Sequence, residues 1–122
     1  MNVEKGKYMT HHMNLWDDSF GAIKEGSKTI EMRLFDEKRS ALELNDTIEF
    51  TNIKTDEKLK CKVTGLYKYH DFHELYKNHD KRSIGYKDNE DADPKDMLMY
   101  YSQDMINKFG VIGIGLLVVE AD

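Results

Sequence analysis

Apolar and polar residues alternate along four stretches of the chain, and this period of two predicts half-buried strands. These strands are predicted over residues 7–15, 28–35, 47–53 and 58–69. Within each strand, successive side chains point to opposite faces. The run from Val111 to Val119 is almost wholly apolar. It predicts a fifth strand that lies inside the sheet and is covered on both faces.

Segments with helical spacing separate these strands, and residues typical of helix ends bound them. Helices are predicted over residues 18–25, 72–79 and 94–109, each with an aspartate at or just before its start. Gly26 and Gly110 follow the first and third helices, where glycine commonly ends a helix in a left-handed conformation. The third helix is predicted as one uninterrupted element, because apolar residues recur along it at helical spacing.

The order of these elements favours one small domain over residues 1–122. Too few helices alternate with strands for a doubly wound sheet. A small mixed sheet or a closed barrel with peripheral helices fits better, which is an α+β fold. The acidic stretch 80–93 is predicted to be a solvated surface excursion within that domain.

Size and composition narrow the class of protein. The chain has 122 residues, a mass of 14.3 kDa and a formal charge of −5. Cys61 is its only cysteine, which excludes an intramolecular disulfide framework and a multi-cysteine zinc site. No apolar run is long enough to cross a bilayer, and no signal peptide is predicted, so we expect a soluble, cytoplasmic protein without membrane partners. The acidic charge also predicts weak or no binding to generic duplex nucleic acid.

The densest group of charged residues lies at the start of the second predicted strand. Glu31 and Arg33 are two residues apart and share a strand face, and Lys28 stands at the mouth of the strand. If this face lines a cleft, two cations surround one carboxylate there. Such a group can hold a phosphate, a carboxylate or the polar edge of a base. The alternative is an exposed strand face whose ion pair contributes under about 1 kcal/mol.

Three other groups of residues give weaker indications. His70, His73 and His79 suggest a metal site, but the last two do not share a helix face, so no metal is expected. The alternating lysines within residues 58–62 are predicted to form a solvated strand face rather than a track for a phosphate backbone. Most of the seven tyrosines are predicted to lie in the core.

The spacing of Gly26, Lys28, Glu31 and Arg33 resembles the signature of the ASCH domain family, a branch of the PUA-like superfamily. The resemblance extends over nearly the whole chain. It includes His11-x-Met13-x-Leu15 before the first helix, Tyr100-Tyr101-Ser102, and Phe109-Gly110-Val111 near the end. One position departs from the family pattern, because Asn45-Asp46 stands where the family usually has Gly-Asp. Asparagine tolerates positive φ almost as well, so the turn is expected to survive.

The resemblance implies a PUA-like β-barrel of five or six strands with helices packed around it. It also implies a ligand-binding cleft lined by Lys28, Glu31 and Arg33, with His11 at its border. Members of the family are generally assigned to RNA binding. We therefore expect a domain that binds RNA or a small nucleoside-like ligand, such as a modified nucleobase, without a cofactor.

Two other functions remain open from the sequence. Some small bacterial members of the family hydrolyse the acetyl amide of acetylated cytidine, with a catalytic lysine at the position of Lys28. This chain has Glu31 where those enzymes have a threonine, and their catalytic glutamate matches only loosely to Glu74 or Asp80. If the protein is an amidohydrolase, Lys28 and Glu31 are its predicted catalytic residues. The third function is that of an adaptor that binds a protein partner and does not use the cleft.

Overall fold

A computed structural model describes residues 8–121 of the chain. One mixed sheet contains the strands β1 Thr10–Leu15, β2 Ile30–Leu34, β3 Thr47–Asn52, β4 Lys58–Tyr69 and β5 Val111–Ala121. The helices are α1 Asp17–Glu25, α2 Glu37–Ser40, α3 Phe72–Asn78 and α4 Gln103–Phe109, and a 3₁₀ helix covers Pro94–Met99. No helix of residues 8–121 is long and apolar enough to cross a membrane.

The strand order is β1-β3-β4-β5-β2, with β1 parallel to β3 and every other pair antiparallel. The sheet curls into a half-barrel whose two edge strands are β1 and β2. This architecture confirms the predicted α+β class and its five strands. β5 lies between β4 and β2, and its residues Val111 to Leu116 are buried on both faces, as its apolar sequence predicts. Leu117 and Val119 are exposed, so the predicted cover does not extend to the end of the apolar run.

Two apolar clusters cover the two faces of the sheet. The first packs α1 against the inside of the half-barrel, with Phe50, Leu59 and Ile114 among its fully buried members. The second packs β2 and the start of β5 against the helical segments, around Leu75 and Ile106. The second cluster takes in Ile30, Met32 and Leu34 from one face of β2, and the opposite face of this edge strand carries Glu31 and Arg33.

The prediction of a single helix over residues 94–109 is wrong. The 3₁₀ helix ends at Met99, and α4 begins only after Ser102, which has an extended backbone and caps the helix through its side-chain hydroxyl, which accepts from the Met105 N–H at 3.2 Å. The buried anchors of the two segments are Met97 and Ile106. Nine residues of continuous α-helix make two and a half turns, so these two side chains would point in opposite directions. The break lets both of them face the core.

The stretch predicted as a solvated excursion contains no helix or strand, and residues 87–91 are exposed as predicted, but its first part packs against the sheet. The carbonyl of Ser83 accepts from the N–H groups of Thr29 and Ile30, both at 2.9 Å, and so covers the start of β2. Ile84 is only 3 % exposed and belongs to the second cluster. The acidic composition of residues 80–93 concealed these few contacts, because they depend on main-chain groups and one apolar side chain.

The start of α1 and the presence of α2 also differ from the prediction. The residue before α1 is Trp16, with an extended backbone and no side-chain cap, while Asp17 and Asp18 lie in the first helical turn. The helix α2 was not predicted, although its start is capped by Asp36, which accepts from the Arg39 N–H at 3.0 Å. Four residues are too few to show a helical period in the sequence.

Candidate functional site

Lys28, Glu31 and Arg33 form one hydrogen-bonded cluster, as their spacing predicts. The Lys28 ammonium donates to Glu31 Oε1 at 2.9 Å, and Arg33 Nε donates to Glu31 Oε2 at 2.6 Å. Lys28 and Glu31 are 6 % and 5 % exposed, and the Arg33 side chain is largely buried. The alternative of an exposed strand face is therefore excluded.

The electrostatics of the cluster fix Glu31 as a carboxylate. Burial alone would raise the pKa of its carboxyl, but the charges and hydrogen bonds of Lys28 and Arg33 outweigh burial and lower that pKa to about 2. Burial likewise lowers the pKa of the Arg33 guanidinium, and the Glu31 charge more than reverses this, so the net change is upward. Two cations around one carboxylate leave the cluster with one unit of positive charge.

Two glycines position Lys28. Gly26 ends α1 with φ of +93°, and the Lys28 N–H then donates to the carbonyl of Ala22 at 3.1 Å. Gly85, with φ of +110°, lies against the side chain, where an added Cβ would come within 3.2 Å of Lys28 Cδ. The segment after Ile84 thus closes over the lysine only because residue 85 has no side chain.

The cluster is also tied to the neighbouring elements. Lys28 Nζ donates to the hydroxyl of Ser19 on α1 at 3.3 Å. Arg33 Nη2 donates to the main-chain carbonyl of Asn14 on β1 at 2.7 Å. These bonds hold both cations toward the gap between the edge strands, where they line an open cleft of about 600 Å³.

Aromatic side chains form much of the wall of this cleft. Trp16 and Tyr100 are 62 % and 53 % exposed. Tyr76, Tyr86 and Tyr101 are half-buried and also line it. Four of the seven tyrosines, Tyr69, Tyr76, Tyr86 and Tyr101, are partly buried and pack against the second apolar cluster, while Tyr8, Tyr67 and Tyr100 are exposed. The break before α4 is what turns Tyr100 and Tyr101 toward the cleft.

Two of these tyrosines form a hydrogen-bonded chain with a carboxylate. The hydroxyls of Tyr76 and Tyr86 lie 2.8 Å apart, and Tyr86 donates to Asp96 Oδ2 at 2.7 Å. Burial raises the pKa of the Tyr76 phenol to about 12, and burial also raises the pKa of the Tyr86 phenol. Both phenols therefore carry their protons at neutral pH. Because the proton of Tyr86 points to Asp96, that of Tyr76 points to Tyr86.

Carboxylates outnumber cations in the cleft. Besides Glu31, the lining includes Asp18, Glu90 and Asp96, and its only cations among the described residues are Lys28 and Arg33. Sequence reasoning missed these three carboxylates and the tyrosine wall. The acidic density of residues 88–93 was visible, but the sequence does not show which of those residues turns inward.

His11 does not reach the cleft. Its Nε2 lies 2.8 Å from Asp46 Oδ2, and the same carboxylate accepts from the N–H groups of Met9 and Glu43, each at 3.0 Å. Burial raises the pKa of Asp46 and these contacts lower it, with a net change downward. Asn45 has φ of +75°, so it replaces the glycine of the family turn as expected. His11 therefore supports this turn and not the candidate site.

The other predicted candidates lie apart from the cleft. Glu74 and Asp80 do not line it. No three histidine, cysteine, aspartate or glutamate side chains of residues 8–121 converge as a metal site would require. His79 instead lies 2.8 Å from the Tyr69 hydroxyl. On the lysine face of β4, Lys60 is paired with Glu120 at 3.6 Å.

Comparisons with known proteins agree with this architecture. The model of the ASCH domain family matches residues 13–120. The crystal structure of hypothetical protein PH0355 is 28 % identical, with a TM-score of 0.78 over 91 % of this chain and 100 % of that one. The solution structure of protein PF0455 from Pyrococcus furiosus is 26 % identical, with a TM-score of 0.72 over 92 % and 99 %.

A more distant structure shares the fold alone. The ASCH protein from Zymomonas mobilis is 14 % identical, with a TM-score of 0.64 over 92 % of this chain and 71 % of that one. No curated protein matches the sequence.

Proposed function

This chain belongs to the ASCH domain family, and on that premise we propose that its cleft binds a nucleobase, either free as a nucleoside or in unpaired RNA. The observation that carries the proposal is the position of the Lys28–Glu31–Arg33 cluster. It lies buried in a cleft whose rim contains exposed aromatic rings. A base needs both features, because its faces stack and its edges form hydrogen bonds.

The cluster has donors to spare for the edge of a base. An ammonium has three N–H groups and a guanidinium has five. Lys28 uses two of its N–H groups on Glu31 and Ser19, and Arg33 uses one each on Glu31 and the Asn14 carbonyl. The remaining donors suit a carbonyl oxygen or an unprotonated ring nitrogen.

The rim supplies flat apolar surfaces. Trp16 and Tyr100 expose more than half of their area in the same cleft. A base stacked on an aromatic side chain contributes about 1–3 kcal/mol. Both rings are therefore accessible to the face of a base that enters the cleft.

Hydrolysis of an acylated base is the second candidate, and one observation favours it. The Ser19 hydroxyl lies 3.3 Å from Lys28 Nζ within the cleft, so a hydroxyl is present although Glu31 stands where the amidohydrolase members of the family have a threonine. The cluster is poorly suited to general base catalysis, however. A carboxylate whose pKa is about 2 is a weak base at neutral pH. Lys28 is salt-bridged to that carboxylate and donates to Ser19 rather than accepting from it. Binding is therefore the function that the geometry supports best.

The single tryptophan makes the proposal easy to test. Because Trp16 is the only tryptophan of the chain, a base that stacks on it changes the whole tryptophan emission of the protein. We expect saturable quenching with at least one nucleoside, and loss of that quenching in Arg33→Ala. Two further variants serve as controls. Arg33→Lys keeps the positive charge in the cleft, and Lys108→Ala removes an exposed cation on α4 that lies outside the cleft. If no nucleoside or unpaired oligoribonucleotide quenches Trp16, the proposed function is wrong.

A further inference from the structure

We infer that the cleft selects a positively charged base, such as an N-methylated purine, over its neutral parent and over phosphorylated forms. This inference rests on the proposed function and names the class of ligand for the same site. Two independent features of the cleft lead to it: the balance of its charges and the arrangement of its aromatic rings.

The first feature is an excess of carboxylates that the cleft cations do not neutralise. Lys28 and Arg33 are both bound to Glu31, so their charge is directed to that carboxylate. Asp18, Glu90 and Asp96 then line the cleft without a cation of the lining beside them. A ligand cation gains from this field, and a ligand phosphate is repelled by it.

Two of these three carboxylates, Glu90 and Asp96, are also held in place. Asp96 accepts from the Tyr86 hydroxyl through Oδ2, and Glu90 accepts from the Lys87 N–H through Oε1 at 2.7 Å. In each case one carboxylate oxygen is fixed by the protein and the other retains its acceptor capacity. Acceptors that are already oriented lose little freedom when a ligand binds.

The second feature is the aromatic wall itself. The electron-rich faces of tryptophan and tyrosine attract a cation within about 6 Å, with tryptophan the strongest. Trp16 stands at the rim and Tyr100 at another part of the same lining. A delocalised cation that is also flat uses stacking and this electrostatic attraction together. A neutral base uses only the stacking.

A second groove adjoins the cleft, and carboxylates outnumber cations there too. It shares Asp18, Lys28 and Glu90 with the cleft. Its charged lining is Asp17, Asp18, Glu25, Asp88 and Glu90 against Lys28, Arg82 and Lys87. A phosphate attached to a bound nucleoside would meet this acidic surface on one side of the cleft, so the inference includes discrimination against nucleotides.

The test compares matched ligands in mildly acidic buffer, where the methylated bases carry their charge. Calorimetric titrations use 1-methyladenosine against adenosine, 7-methylguanosine against guanosine, and each nucleoside against its 5′-monophosphate. We expect the methylated nucleoside to bind about tenfold more tightly than its parent, which corresponds to about 1.4 kcal/mol. Each monophosphate should bind several-fold more weakly, and added salt should narrow both differences.

Matched variants assign the effect to the cleft carboxylates. Asp18→Asn and Glu90→Gln should each reduce the preference for the methylated base over its neutral parent severalfold. Asp104→Asn removes an exposed carboxylate on α4 outside the cleft and should leave that preference unchanged. Equal or tighter binding of the neutral parent would overturn the inference and leave nucleobase binding intact. Absence of binding by every nucleoside would overturn this inference, and the proposed function fails with it if unpaired oligoribonucleotides do not bind either.

Discussion

The Arg33 guanidinium on β2 donates to the main-chain carbonyl of Asn14 on β1 over 2.7 Å, and it thereby joins the two edge strands of the half-barrel. The same side chain donates to Glu31 and lines the cleft. Arg33 therefore links the geometry of the sheet opening to the donors presented to a ligand. Its replacement by lysine preserves the charge but not the two fixed directions of the guanidinium.

Removal of the Glu31 carboxylate is expected to destabilise the fold strongly. In Glu31→Ala, Lys28 and Arg33 remain largely buried without their shared partner, which costs about 3–5 kcal/mol. The melting temperature should fall by about 10 °C or more for a domain of this size. Glu57→Ala is the matched control, because its pair with Lys24 is well exposed and contributes under about 1 kcal/mol. Similar melting temperatures for the two variants would contradict the buried cluster.

The same cluster predicts a loss of stability in acid. The pKa of Glu31 is about 2 in the folded protein against 4.5 for an unperturbed glutamate, so the folded state binds the proton less well than the unfolded state. Its contribution, about 3 kcal/mol, is present above the unfolded pKa and is lost as the pH falls toward the folded pKa. Denaturant titrations at a series of pH values between neutral and strongly acidic conditions should show this fall.

Glu31→Gln serves as the control for the pH experiment. This variant is less stable at neutral pH, but its stability should depend less on pH over the same range, since residue 31 no longer titrates. The pKa of Asp46 is also lowered, so a smaller slope should remain. A slope equal to that of the natural protein would show that Glu31 does not carry the effect.

The turn before β3 predicts a difference between two small substitutions. Asn45 has φ of +75°, where glycine is unstrained and alanine is not. Asn45→Gly should leave the free energy of unfolding unchanged or raise it, while Asn45→Ala should lower it by about 1 kcal/mol. Chemical denaturation of the two variants measures this directly. Equal free energies of unfolding for Asn45→Ala and Asn45→Gly would contradict a strained backbone at this turn.

Hydrolysis of acetylated cytidine is expected to be slow or absent. The Glu31 carboxyl has a pKa of about 2, so it is a weak base at neutral pH. Release of acetate should be followed with the natural protein and with Lys28→Ala. Turnover on the order of 1 per second or more, abolished by Lys28→Ala, would show that the protein is an enzyme. Ser19→Ala would then test whether the hydroxyl beside Lys28 takes part.

The central cluster could be predicted from the sequence because its geometry is local. Residues two apart on a strand share a face, so Glu31 and Arg33 had to emerge together, and Gly26 placed Lys28 beside them. The same reasoning gave the apolar central strand β5. In each of these cases the pattern repeats over neighbouring residues and needs no knowledge of the rest of the fold.

The rest of the cleft could not be predicted because distant contacts build it. The carbonyl of Ser83 holds its segment against the start of β2, which brings Tyr86 and Glu90 to the cleft. Ser102 interrupts the helical pattern, which turns Tyr100 inward. Composition described residues 80–93 correctly as acidic, but the sequence alone does not show that a main-chain carbonyl among them completes a sheet edge.

The most direct test of the account is a map of nucleoside binding by NMR. Amide chemical shifts of the labelled protein are recorded during titration with the nucleoside that quenches Trp16 most strongly. The account predicts that saturable shifts concentrate at the cleft, at Asn14, Trp16, Arg33, Gly85 and Tyr100. Shifts confined to the lysine face of β4 around Lys58, Lys60 and Lys62, with the cleft residues unmoved, would contradict it.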